Sequence, residues 1–143
     1  MKISIRSRLF PVLALVLAAG CADLGLGSGG GDVNGLTIQD GGGTTLVTAG
    51  ASGSVAGTLT VPRNGTRSVR ISLTGPGGVV TPGLGESIRV TVRNSTLVQW
   101  NETGTSTGTL TGRGTAGSTT LVVDLINAGT VQYTSPSITV QVT

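Results

Sequence analysis

Residues 67–74 read RSVRISLT, and this stretch decides the fold class. Apolar residues occupy every second position, at Val69, Ile71 and Leu73. Successive side chains of a β-strand point to opposite faces of its sheet, so this period predicts a strand with one buried face and one wet face. Because a single wet face is typical of antiparallel sheets, the stretch indicates an antiparallel sheet.

Short segments with the same character follow one another from residue 36 onward. No window repeats its apolar residues at helical spacing over two turns, so we expect essentially no helix. Residues 121–126 are apolar on both faces except at Asp124, which predicts a central strand. Short strands separated by turn signals are typical of an all-β sandwich or barrel. The predicted strands are 36–39, 44–48, 55–61, 67–74, 87–93, 97–101, 107–111, 119–126, 130–134 and 137–142.

Turn signals and aromatic residues refine this picture. Asn64-Gly65 lies between two predicted strands and is the strongest hairpin signal in the chain. The sequence TGPGG at residues 74–78 marks a second turn. Trp100 and Tyr133 lie in predicted strands beside apolar neighbours, so we expect both to anchor the core.

The N-terminal segment accounts for the positive charge of the chain. The formal net charge is +3, but Lys2, Arg6 and Arg8 all precede an apolar run. Without residues 1–20, six basic residues face six acidic ones. The remaining chain is neutral, so we expect no nucleic-acid partner.

Residues 1–20 have the basic, apolar and small-residue regions of a secretory signal peptide. The apolar run, residues 9–19, spans about 16 Å as a helix, too short for a hydrocarbon core of about 30 Å. The sequence LAAGC at residues 17–21 resembles the lipobox of bacterial lipoproteins, with Ala18 where leucine is commonest. The resemblance implies cleavage between Gly20 and Cys21 and acylation of Cys21. The alternative is an ordinary secreted protein with a chance cysteine.

Acylation would determine the location of the protein. Two or more acyl chains anchor a protein stably, so the implied partner is a membrane. Ala22 follows the cysteine, whereas an aspartate there would signal inner-membrane retention; the resemblance therefore implies an outer-membrane lipoprotein, facing either the periplasm or the surface. Acylation would also consume the only cysteine, Cys21, and leave no disulfide. The glycine-rich residues 22–35 predict a flexible tether after the lipidated cysteine, so that residues 21–35 form the anchor.

The second half of the chain resembles group 2 bacterial Ig-like domains, the class found in invasin and intimin. The resemblance rests on VTVRNSTLVQWNETGTSTGTLTGRGTAGSTTLVVDL (residues 90–125) and on SITVQV (residues 137–142) as the closing strand. It covers residues 54–143 and implies an Ig-like antiparallel β-sandwich with a structural, adhesive or ligand-binding role on a bacterial surface. Residues 36–53 fall outside it, as an extra hairpin or as linker.

Catalytic chemistry has few candidate residues here. The chain has no histidine, which excludes the usual hydrolase triads, and it lacks the histidine or thiolate ligands of zinc sites. We expect no cofactor and no metal. The acids after residue 53 are Glu86, Glu102 and Asp124, in turns or at wet strand positions, and nothing brings two together. We therefore expect a non-catalytic protein, with a small carboxylate-dependent enzyme as the remote alternative.

Two further interactions follow from the strands. Arg70, Arg89 and Arg93 fall on predicted wet faces and form a candidate patch for an anionic surface such as lipid headgroups, lipopolysaccharide or an acidic glycan. The competing interpretation is that these arginines keep an exposed sheet soluble and protect its edges. Low-charge strands rich in glycine and threonine also indicate self-association into fibres or a coat. An envelope protein is the remaining candidate partner.

Overall fold

The computed structural model describes residues 32–143. Within this range the chain forms β-strands and no helix, so none of its segments is a helix that could cross a membrane. The predictions for Cys21, for the signal peptide and for residues 22–31 of the tether lie outside the described residues. The strands are β1 (Gly35–Asp40), β2 (Thr45–Ala49), β3 (Val55–Gly57), β4 (Leu59–Val61), β5 (Thr66–Gly75), β6 (Gly78–Val80), β7 (Glu86–Val92), β8 (Val98–Gly104), β9 (Thr107–Gly112), β10 (Gly117–Asn127), β11 (Thr130–Thr134) and β12 (Ile138–Val142).

The first sheet has seven strands in the order β3-β2-β1-β5-β9-β8, with β6 also paired to β5. All of its pairs are antiparallel. Strand β1 occupies one edge of β5, where Gly35 lies opposite Thr74 and Asp40 opposite Val69. Strands β9 and β6 therefore share the other edge of β5, one after the other along its length.

The second sheet has five strands centred on β10, as the sequence predicted for this segment. Strand β7 covers one edge of β10 from Leu121 to Asn127. Strands β12 and β11 share the other edge, opposite residues 117–121 and 124–127. Strand β4 then adds to β12 in parallel, an exception to the otherwise antiparallel pairing.

The two sheets pack on one shared apolar core, which confirms the predicted all-β antiparallel sandwich. Trp100 and Tyr133 are partly buried against this core, in line with their predicted role as anchors. The most deeply buried large side chains come from both sheets: Leu36, Ile38, Leu59, Leu73, Leu110, Leu121, Leu125 and Ile138.

The N-terminal boundary of the sandwich differs from the predicted residue 54. Residues 36–53 contain the hairpin of β1 and β2, which places Leu36, Ile38 and Val47 in the core at no more than 1% exposure. Gly35, assigned to the tether, is a buried residue of β1. The sequence left residues 36–53 open between an extra hairpin and a linker, because both strands are short and glycine-rich turns follow them, a composition that also suits a linker.

The Asn64-Gly65 turn does not close the predicted hairpin. It connects β4 of the second sheet to β5 of the first, and Asn64 adopts a left-handed φ of 54°. The predicted strand 55–61 likewise divides between the two sheets at Gly57, whose φ is 93° and where a Cβ would overlap the Leu46 carbonyl oxygen. The turn at Asn64-Gly65 was predicted and the division at Gly57 was not; local turn chemistry carries no information about which sheet receives the next strand.

The strand directions define two ends of the sandwich. We call the end where the described chain begins the proximal end; there the Asn34 N–H donates to the Thr74 carbonyl at 2.9 Å. The β6–β7 loop and the β10–β11 turn lie at this end too, joined by a 3.2 Å hydrogen bond from the Ala128 N–H to the Gly85 carbonyl. The opposite, distal end carries the β1–β2 turn and the crossing at residues 62–65.

Candidate functional site

An ion pair and a neighbouring hydrogen bond join three adjacent strands on the outer face of the second sheet. Register places Arg89 of β7 and Thr134 of β11 on either side of Asp124 in β10. The Arg89 Nη2 and Nε atoms donate to Asp124 Oδ2 at 2.7 Å and 3.2 Å. The Thr134 hydroxyl donates to Oδ1 at 2.8 Å. Both carboxylate oxygens are therefore engaged.

This network holds Asp124 in its charged form. Burial raises the pKa of the carboxyl, but the hydrogen bonds from Arg89 and Thr134 and the charge of Arg89 together outweigh burial and leave the pKa below its usual value. The prediction of a wet position for Asp124 is wrong: the side chain faces outward, yet the residue is only 7% exposed because neighbouring strands cover it. An ionised carboxylate that accepts hydrogen bonds at both oxygens holds strands together and is poorly suited to proton transfer.

The other two candidate acids do not pair with Asp124: Glu86 lies opposite Asn127, three residues along β10. The Glu86 carboxylate accepts hydrogen bonds from the Gly83 N–H at 2.7 Å and from the Asn127 amide at 3.3 Å, and thereby shapes the β6–β7 loop. Glu102 lies on β8 of the first sheet. Residues 32–143 contain no group of three or more histidine, cysteine, aspartate or glutamate side chains that could hold a metal ion.

The three arginines of the predicted anionic patch do not meet on one face. Arg70 lies on β5 between the buried Val69 and Ile71, so it projects from the outer face of the first sheet. Arg89 lies on β7 of the second sheet and Arg93 directly follows this strand, with its N–H bonded to the Thr120 carbonyl of β10; the charge of Arg89 is compensated by Asp124. A single patch therefore does not form, since the outer faces of the two sheets point in opposite directions.

Arg70 lines a shallow cavity instead. The cavity has a volume of about 350 Å³ and lies between β5 and the glycine turn at residues 41–43, with Gln39, Ser68 and Thr107 around it. The Asp40 carboxylate lines the same cavity, where its Oδ1 atom accepts hydrogen bonds from the Gly42 and Thr44 N–H groups, each at 2.9 Å. The cavity thus offers one guanidinium and one carboxylate, with hydroxyl and amide groups around them, and suits a small polar ligand.

Sequence reasoning missed the arginines at the distal end. Arg63 forms an isolated parallel bridge with Gly112, which places it beside Arg113. Arg67 lies opposite Leu110 on β5, close to the same end. Only the crossing of β4 toward β9 brings these residues together, so no spacing along the chain could have shown it.

Comparison with known proteins adds little to this description. No protein-family model matches the chain, and no curated protein matches it significantly. Among solved structures, the chain is similar to "Crystal structure of the S-layer protein SbsC domains 4 and 5", with a TM-score of 0.46 and 11% sequence identity over 75% of each chain. A likeness this distant identifies no family.

Proposed function

We propose that the chain is a non-catalytic lipoprotein of the bacterial cell envelope that presents one Ig-like sandwich on an N-terminal lipid anchor. The observation that carries the proposal is the lipobox-like LAAGC at residues 17–21, followed after a short spacer by a folded domain. Ten residues lie between Cys21 and Asp32, and the eleven residue-to-residue steps, at about 3.3–3.6 Å each, reach at most about 40 Å. The domain would therefore stay close to the membrane that holds the acyl chains.

Within residues 32–143, the roles of two of the candidate acids support a binding or structural role. Asp124 and Glu86 are both engaged in hydrogen bonds that hold strands and loops in place. The open position is the Arg70 cavity, which fits a polar group of a glycan or of an envelope protein. We place any ligand-binding role there, because Arg89 is neutralised and Arg70 is not among the ion pairs of the described residues.

Replacement of the proposed acylation site tests the anchor. Cys21→Ala removes the thiol that would accept the lipid, so we expect the protein to lose its lipid mass and to leave the membrane fraction. Ala22→Asp serves as the matched variant: it keeps the thiol, and we expect it to remain lipidated but to fractionate with the inner membrane. Membrane retention of an unlipidated Cys21→Ala protein would overturn the proposal.

Self-association is a second candidate function, favoured by the free edge of the first sheet. Strand β3 ends that sheet, and its residues Val55, Ala56 and Gly57 are all exposed and uncharged. An unprotected edge offers unpaired backbone groups to a second copy. Sizing of the unlipidated protein at rising concentration tests this: a charged edge, Ala56→Lys, should abolish oligomers, and a strictly monomeric wild type removes the idea.

A further inference from the structure

The exposed large apolar residues of the described chain all lie toward one end of the sandwich. Val79 is 74% exposed on β6 and Leu84 is fully exposed in the β6–β7 loop, while Val55 and Val131 are exposed to a lesser degree. Val55 begins β3 opposite Ala49, and Val131 follows the β10–β11 turn. Both positions belong to the proximal end, as do β6 and the loop after it.

The loop that carries Leu84 is held in place by hydrogen bonds on both sides of this residue. The Gly83 N–H donates to the Glu86 carboxylate at 2.7 Å, and the Glu86 N–H donates to the Gly83 carbonyl at 3.2 Å. The Ala128 N–H donates to the Gly85 carbonyl and fastens the loop to the second sheet. A leucine held outward on a fixed loop loses little conformational entropy when it enters an apolar medium.

The chain reaches the sandwich at this same end. A Cβ on Gly75 would overlap the Asp32 carbonyl oxygen and would lie 3.0 Å from Val80 Cγ2. Asp32 and the β6 strand are thus immediate neighbours, and Leu84 follows Val80 by only four residues. A lipid on Cys21 would consequently draw the proximal end, and not the distal end, toward the bilayer.

The basic side chains lie away from the proximal end. Of the arginines among the described residues, Arg63, Arg67 and Arg113 gather at the distal end, and none lies in the proximal loops. Two acids lie at the proximal end: Asp32, which is exposed, and Glu86, whose carboxylate accepts hydrogen bonds from Gly83 and Asn127. Because this end presents exposed apolar side chains and no arginine, it suits contact with the acyl region of a membrane better than contact with an anionic polymer.

We infer that the proximal end is a lipid-contacting surface in which Leu84 and Val79 enter the acyl region of the anchoring bilayer and orient the sandwich with its distal end outward. The inference rests on the proposed lipid anchor at Cys21. Acyl chains on a short spacer leave the orientation of the domain open. Two apolar contacts at the attached end would fix it.

The test uses the lipidated protein in vesicles of phosphatidylethanolamine and phosphatidylglycerol. Acylated Cys21 has no free thiol, so a fluorophore that responds to polarity can be placed on Thr130→Cys at the proximal end or on Thr115→Cys at the distal end. We expect spin-labelled lipids to quench the fluorophore at residue 130 and not at residue 115. Leu84→Ser with Val79→Ser should reduce quenching at residue 130 to the level seen at residue 115, while flotation with vesicles is unchanged.

The outcomes separate the two proposals. Protein that carries no lipid and does not float overturns both. Protein that floats but shows equal quenching at residues 115 and 130 overturns the lipid contact and leaves the anchor standing. A disulfide between two unlabelled Thr130→Cys copies, without quenching of the labelled protein, would assign the proximal end to a second copy and also overturn the lipid contact.

Discussion

The Arg89 guanidinium lies 2.7 Å from the Asp124 carboxylate and thereby fastens the edge strand β7 to the central strand β10. The two side chains differ in their surroundings: that of Asp124 is 10% exposed and that of Arg89 is 55% exposed. Water at Arg89 weakens the pair, whereas Asp124 would be left buried without a counter-ion if Arg89 were removed. The carboxylate is accordingly the partner on which stability depends.

The pKa of Asp124 leads to a pH-dependent expectation. Because the folded-state pKa is lower than the unfolded one, the charged carboxylate stabilises the fold above the unfolded value of about 3.9, and this contribution is lost as pH falls through the folded value. We expect Asp124→Asn to lower the free energy of unfolding by about 1 kcal/mol at neutral pH, allowing for solvent at Arg89. Urea unfolding between pH 2 and 7 measures this. A deficit that stays constant down to the lowest pH would show that packing, not ionisation, causes it.

Ser135 repairs an interruption between β11 and β12. The Ser135 N–H donates to the Val123 carbonyl at 2.8 Å, and the buried Ser135 hydroxyl accepts the Val123 N–H at 2.9 Å in place of a backbone carbonyl. Ser135→Ala would leave this buried N–H unpaired, so we expect a loss of about 1–3 kcal/mol in the free energy of unfolding. Ser137→Ala, at an exposed position two residues away, should be nearly neutral. Equal stability of the two variants would contradict the role given to Ser135.

Sequence reasoning reached the strands more readily than their partners. The alternation around Ile71 and the apolar run around Val123 correctly predicted strands, because the spacing of apolar residues reflects whether one or both faces of a strand are buried. The assignment of Asp124 to a wet position failed, since its cover comes from Arg89 and Thr134, which are distant in sequence. The predicted patch of Arg70 with Arg89 failed for the same reason: the sheet to which a strand belongs depends on long-range pairing, which no local pattern specifies.

Gly108 makes room for the ring of Trp100. A Cβ at residue 108 would overlap ring atoms Cζ2 and Cη2 of Trp100 and would lie 2.8 Å from the Asn101 carbonyl oxygen. We expect Gly108→Ala to cost about 1–3 kcal/mol and to shift the fluorescence of the single tryptophan to longer wavelength as the ring moves toward water. Gly77→Ala, whose Cβ meets no atom within 4 Å, is the control. Unchanged emission and stability in Gly108→Ala would refute the close packing.

Tyr133 buries a hydroxyl that has no hydrogen-bond partner among residues 32–143. Burial raises the pKa of this phenol, because the charged form is disfavoured away from water. We expect Tyr133→Phe to stabilise the fold by up to about 1 kcal/mol at pH 7. Wild-type stability should also fall as pH rises past the unfolded value of about 10, and the variant should not share this component. Thermal unfolding of both proteins from pH 7 to 11 measures these effects. A destabilised Tyr133→Phe variant would mean that the hydroxyl makes a hydrogen bond after all.

Leu36 tests where the folded domain begins. Its side chain is fully buried on β1, next to the Leu73 and Ala49 positions of the flanking strands. If β1 belongs to the core, Leu36→Ala should lower the free energy of unfolding by about 2–5 kcal/mol, since it removes buried methyl groups and leaves a cavity. Thr37→Ala, one residue along on the outer face, should change it by less than about 0.5 kcal/mol. A neutral Leu36→Ala in urea unfolding would return residues 36–53 to the status of linker and restore the boundary at residue 54.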